Sequence, residues 1–123
     1  MEEKGSFYST YGWHPRSTHA AIATLRYIIR NRTSLLQNVA ALSDYFRTRL
    51  GQMKFGRAAT LRMMGLAISL DFGDEEYADN VHLRCVRNGP LVSTEGKCLL
   101  LFPALTINRD TARRGLDILE RCV

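Results

Sequence analysis

Ser9 and Thr10 place two hydroxyls just before Tyr11-Gly12-Trp13-His14, and Pro15 then opens an alanine-rich apolar helix. This arrangement offers an anion a side-chain oxygen and free backbone N–H groups, because the first amides of a helix lack intrahelical partners and carry the positive end of its dipole. Each charge-assisted hydrogen bond of that kind contributes about 1.5–3 kcal/mol. From the local residues two readings stay open: a turn that merely caps the helix, and a phosphate contact.

The other reactive side chains form no complete catalytic constellation. Lys4, Lys54 and Lys97 fall in an N-terminal tail, a loop and a hairpin turn, where a hydrated, protonated amine is a poor Schiff-base nucleophile. His14 and His19 are five residues apart, on different faces of a helix, and read as a helix-start residue and a surface residue. His82 and Cys85 share a helix face at i, i+3, but two such ligands alone do not make a metal site. Cys85, Cys98 and Cys122 are too widely spaced for a disulfide framework or a zinc pattern and read as reduced packing thiols. No catalytic residue and no metal ligand is assigned.

The elements that must carry these residues follow from periodicity. Residues 16–31 read as a helix on which Ala20, Ala21, Ile22, Ala23, Leu25, Tyr27, Ile28 and Ile29 cover nearly the whole circumference, which predicts a long helix buried on most sides. Thr33 or Ser34 is expected to cap a second helix whose Leu35, Val39, Leu42, Phe46 and Leu50 form one stripe, with Gly51 as its stop. Residues 60–72 read as extended chain interrupted at Gly65, and Leu66, Ile68, Leu70 and Phe72 alternate with Ala67, Ser69 and Asp71 as on a strand with one buried face. Asp74 caps a third helix with Tyr77, Ala78, Val81 and Cys85 on its apolar stripe, ended by Asn88-Gly89-Pro90. Residues 91–93 and 98–102 read as a hairpin joined by Thr94-Glu95-Gly96-Lys97, and Asn108 caps a last helix with Ala112, Leu116, Leu119 and Val123 facing inward. Helices first, then strands alternating with helices, argue an α+β fold: a small, mostly antiparallel sheet with helices on one face. Residues 1–8 read as a tail and residues 9–123 as one domain.

Composition narrows the function classes. At 123 residues, 46% hydrophobic and 24% charged, the chain suits one soluble domain. No apolar run approaches the roughly 20 residues of a membrane span. Met1-Glu2-Glu3-Lys4-Gly5 is not a secretory signal, so a cytoplasmic location is expected. The net charge of +5 is uneven: ten basic residues against Asp44 alone between Lys4 and Arg62, then five acids from Asp71 to Asp79. Arg26, Arg30, Arg47 and Arg49 sit on predicted helices without the aromatic interleaving of single-strand binders. They read as a solvated face or one that meets an acidic partner domain, and no nucleic acid is expected.

Four separated motifs in this order resemble the C-terminal small domain of class-III, pyridoxal-phosphate-dependent aminotransferases. S-T-Y-G-W-H-P at residues 9–15 is similar to the family segments S-T-[YF]-G-G-N-P and T-Y-S-G-H-P, matching at Thr10, Tyr11, Gly12, His14 and Pro15 and departing at Trp13. The alanine-rich helix after it is similar too, as is Leu61-Arg62-Met63-Met64-Gly65-Leu66 to V-R-G-x-G-L. Residues 101–107 resemble P-P-L-x-I with Ala104 in place of the second proline.

The resemblance implies a fold-type-I aminotransferase small domain and a transaminase moving an amino group between an amine or amino acid and a keto acid or aldehyde. It implies pyridoxal 5′-phosphate as cofactor, bound at its phosphate by Thr10 with Ser9 across a homodimer interface. The family's Schiff-base lysine would belong to a large domain upstream, so the fragment alone is expected to be inactive. Many members carry an arginine three residues before the first proline of the last motif, where it forks onto the substrate carboxylate; here that position is Leu100, and no substrate-binding residue is assigned. Two other classes stay open from composition: a stand-alone interaction or regulatory module using the apolar first helix, and a basic polyanion binder.

Overall fold

The computed structural model describes residues 10, 12–90 and 92–123. The expected tail, Ser9, Tyr11 and Leu91 lie outside the described residues. By internal contacts the chain divides into two compact units, one ending at Thr33 and the other running Ser34–Val123.

The first unit is built on helix α1, Pro15–Arg30. Pro15 occupies the first turn, where its missing N–H costs no hydrogen bond. Asn31 closes the other end, donating from both its backbone N–H and its side-chain amide to the Tyr27 carbonyl at 3.0 and 2.9 Å. The expectation of a buried helix is corrected here, because no residue of α1 is buried. Leu25, Tyr27 and Ile29 are more than half exposed. An all-round apolar sequence shows that a helix wants partners, but it does not place those partners in the same chain.

The second unit holds α2 (Arg32–Gln52) from Ser34 onward, β1 (Thr60–Met64), β2 (Ala67–Asp71), α3 (Glu75–Asn88), β3 (Ser93–Glu95), β4 (Cys98–Leu101) and α4 (Arg109–Cys122). Two expected boundaries move. With α2 starting at Arg32, Thr33 and Ser34 lie inside its first turn and do not cap it, and Gly51 is carried within the helix one residue short of its end. Gly51 keeps the helical backbone that any residue could adopt; a glycine stops a helix only by taking the left-handed conformation.

All strand pairs are antiparallel, in the order β1-β2-β4-β3. Gly65, at φ +56°, turns β1 into β2, and an added Cβ there would lie 3.2 Å from the Val39 Cγ1 of α2. The second hairpin is tighter than read from sequence: Thr94 and Glu95 belong to β3, and Gly96 at φ +51° makes the turn with Lys97. Ile68 and Leu70 of β2 and Leu99 of β4 point to one face and are almost fully buried with the stripes of α2 (Leu42, Phe46, Leu50), α3 (Ala78, Val81, Cys85) and α4 (Ala112, Leu116, Leu119). The helices of this unit therefore cover one face of the sheet, as the alternation predicts. Asp74 accepts from the Tyr77 N–H at 2.8 Å and Asn108 from that of Thr111 at 2.8 Å, the two caps expected from sequence.

Polar contacts lock the helices to their surroundings. Asn38 of α2 donates to the carbonyls of Leu105 and Ile107 at 2.8 and 3.1 Å, which ties the segment after Pro103 to the helix. Arg49 is a second correction: it does not belong to a solvated arginine face, because it pairs with Asp117 at 2.8 Å and Glu120 at 3.3 Å on α4. Arg26, Arg30 and Arg47 are exposed.

Candidate functional site

Thr10 is exposed in a bend five residues ahead of Pro15, and Gly12 and Trp13 make the turn between them. Trp13 is 86% exposed and takes φ +65°, a left-handed conformation that bulky side chains seldom adopt. His14, at the N-cap position, makes no side-chain cap bond, and its carbonyl accepts from the Thr18 N–H at 2.9 Å. The amides of Arg16 and Ser17 are thus left without helical partners at the positive end of a 16-residue helix whose first turn holds no acid. Of the two histidines expected at a helix start and on a surface, both His14 and His19 are exposed.

As a donor set, one hydroxyl, two amides and the Arg16 cation suit one edge of a phosphate dianion. They do not make a whole cofactor site, which also needs a desolvated lysine. Lys54 is exposed in the loop after α2. Lys97 is 58% exposed in a hairpin turn, 3.8 Å from Asp71. Among the described residues this donor set suits the phosphate end of a ligand, and neither Lys54 nor Lys97 is buried as a Schiff-base amine must be.

The cysteines are packed as the sequence suggests. Cys85 turns into the core between α3 and α4; burial first, and then the neighbouring Cys122, pushes its thiol up to about 12. His82 is half-buried on the same helix, and among the described residues no three potential ligands gather around a metal position. No helix among them is long and apolar enough to cross a membrane.

A feature that periodicity did not disclose lies on the open face of the sheet. Arg62, Ser69 and Leu100 stand in one row across β1, β2 and β4, since Arg62 pairs with Ser69 and Ser69 with Leu100 in the register. Leu100 is half-buried there. It lines a depression of about 350 Å³ together with Arg62, Met64, Ser69 and Phe102. Arg62 reaches Asp71 at 3.2 Å, the diagonal cross-strand contact that one-face alternation allows. The alternation of polar Arg62, Ser69 and Asp71 was the available signal, but the partner strands could not be matched without the register. A larger groove of about 490 Å³ near the ends of β4 and α4 is apolar apart from Thr111 and Arg114 and offers no acid–base pair.

Comparison with known proteins supplies the frame. The family model for class-III aminotransferases matches residues 2–123. The probable mitochondrial ornithine aminotransferase of Caenorhabditis elegans is 29% identical over 120 residues, which is 97% of this chain and 28% of that protein. The acetylornithine aminotransferase of Archaeoglobus fulgidus is 31% identical over 116 residues, again 28% of its length. In fold, the crystal structure of acetylornithine aminotransferase from Elizabethkingia anophelis superimposes with a TM-score of 0.78 at 23% identity, covering 99% of this chain and 33% of that one. The chain spans under a third of the length of these proteins.

Proposed function

Because the chain belongs to the class-III aminotransferase family, we propose that it is the small C-terminal domain of a pyridoxal-phosphate-dependent transaminase that moves an amino group between an amine or amino acid and a keto acid or aldehyde. The observation that carries the reading is the start of α1 in its motif: an exposed Thr10, two helix-start amides with no partner among the described residues, and a first turn without an acid. When bound, the cofactor draws electrons from the substrate carbon that bears the amine. The residues of this chain hold one end of it: the Thr10 hydroxyl, with Ser9, donates to phosphate oxygens, and the α1 dipole and Arg16 balance the charge.

The lysine comes from polypeptide outside these 123 residues, and Thr10 serves the site of the second subunit of a homodimer. The apolar residues that α1 leaves exposed, Leu25, Tyr27 and Ile29 among them, are covered in that assembly. Three free thiols suit a reducing compartment, and we place the enzyme in the cytosol. The domain moves with the substrate and closes the site against water.

Co-expression of the chain with a lysine-bearing class-III large domain tests this. The expected result is a complex with cofactor absorbance and amino transfer, and none from the chain alone. Thr10→Ala should weaken cofactor binding by about ten-fold or more, the loss of one charge-assisted hydrogen bond. Amino transfer by the chain alone, or an unchanged cofactor Kd in Thr10→Ala, overturns the reading.

A further inference from the structure

The open sheet face combines one available cation with an apolar bed. Arg62 is 66% exposed on its side chain and touches Asp71 through Nη2 alone, at 3.2 Å; among the described residues its other N–H groups have no partner. Asp71 is 10% exposed and held in place by the Gly73 N–H at 3.0 Å, so it fixes the guanidinium while leaving most of the fork outward. Lys97 approaches the same carboxylate at 3.8 Å. Two cations against one carboxylate, Arg62 from β1 and Lys97 from the β3–β4 turn, leave a local charge of +1 around Asp71 of β2. The far edge of the sheet carries Glu95, in register with Cys98, which repels an anion there. Between them, Leu100, Phe102 and Met64 line the depression, with the Ser69 hydroxyl at mid-row, and none of α2, α3 or α4 contributes to its lining. The row from Arg62 to Leu100 crosses two strand spacings, about 10 Å, and the volume sits at the small end of ligand sites.

We propose that this face binds an amphipathic carboxylate, with Arg62 taking the carboxylate and Leu100, Phe102 and Met64 taking an apolar segment that runs across the strands. Asp71 is a positioning residue for Arg62. If the proposed transaminase is correct, the ligand is the carboxylate-bearing substrate, its acid group held on β1 and not at the Leu100 position; that role rests on the proposed function, whereas binding to the chain does not.

The test is an amide NMR titration of the 123-residue chain with 4-phenylbutyrate, against 4-phenylbutylamine, which has the same apolar body and the opposite charge. The expected result is shifts at Arg62, Ser69 and Leu100 with the carboxylate and binding of the amine weaker by about ten-fold, the worth of a charged pair. Arg62→Gln should lose a similar factor and Arg62→Lys only part of it. Leu100→Glu, which leaves Arg62 and Asp71 in place, should abolish carboxylate binding by repulsion. Equal affinity for the two probes, no shifts on this face, or unchanged binding in either Arg62→Gln or Leu100→Glu overturns the proposal. Failure of the co-expressed complex to take up cofactor would defeat the transaminase reading and leave this titration standing.

Discussion

Leu99 and Leu100 are neighbours of identical chemistry on β4, and the sheet gives them opposite fates. Leu99 is 0% exposed, pairs with Leu70 and Thr94 across its two flanks, and belongs to the core shared with α3 and α4. Leu100 faces the open side and is half-buried. Truncating a fully buried leucine costs its transfer free energy plus a cavity term, about 2–5 kcal/mol. For Leu99→Ala the upper half of that range applies, since a central strand hydrogen-bonded on both sides cannot collapse into the void. Leu100→Ala removes a side chain already in contact with water and should cost under about 1 kcal/mol. Urea unfolding of the chain followed by circular dichroism reads both as shifts in midpoint at constant slope. Against a total of about 5–15 kcal/mol, Leu99→Ala takes a large share and Leu100→Ala a small one. Equal losses, or a larger loss at Leu100, would mean that the sheet is turned over or covered on both sides, and would refute the assignment of the open face.

Gly65→Ala should destabilise by about 1–2 kcal/mol from the left-handed backbone alone, with more from the 3.2 Å approach to Val39, read as a lower melting temperature. Asp117 is held below its ordinary value of 3.8, chiefly by the hydrogen bond from Arg49, so its contribution is present above that pH and fades as acid protonates the folded carboxylate. The melting-temperature gap between the wild type and Asp117→Asn should therefore close below pH 3.8, and a gap that widens in acid would contradict the pair. Cys85 is raised from 9.0 to about 12, so its stabilising contribution is whole below 9.0 and lost as pH rises toward 12. Mass spectrometry of the native chain at neutral pH should find iodoacetamide on half-buried Cys98 ahead of buried Cys85 and Cys122.

Where a residue's role was set by its near neighbours in sequence, it was legible. The Asp74 and Asn108 caps, the stripe from Leu35 to Leu50 and the alternation from Leu66 to Phe72 all stand where local pattern put them. The exposed state of α1 was not legible, because hydrophobicity reports a need for contact and not the address of the contacting surface. Arg49 misled for a related reason: its partners lie 68 and 71 residues away. The loop of the second hairpin is shorter than its polar residues 94–97 imply, since Gly96 carries the positive φ that lets two residues make the turn. At the candidate site, the Thr10 motif was visible as a string. The cluster of Arg62, Asp71 and Lys97 was not, because strand register assembles it from three separate places.

The strand order carries a consequence for how the molecule is made. Each hairpin can close on its own, β1 with β2 and β3 with β4, across a few residues of turn. The central seam joins Ile68 to Leu101, 33 positions further along the chain, with all of α3 strung between them. Chain-closure entropy makes such a distant seam the slow step, so the two ribbons wait until α3 has swung back and given them a common floor. A nascent chain released before β4 would present β2 with a vacant edge, and this open seam is where copies would stick to one another.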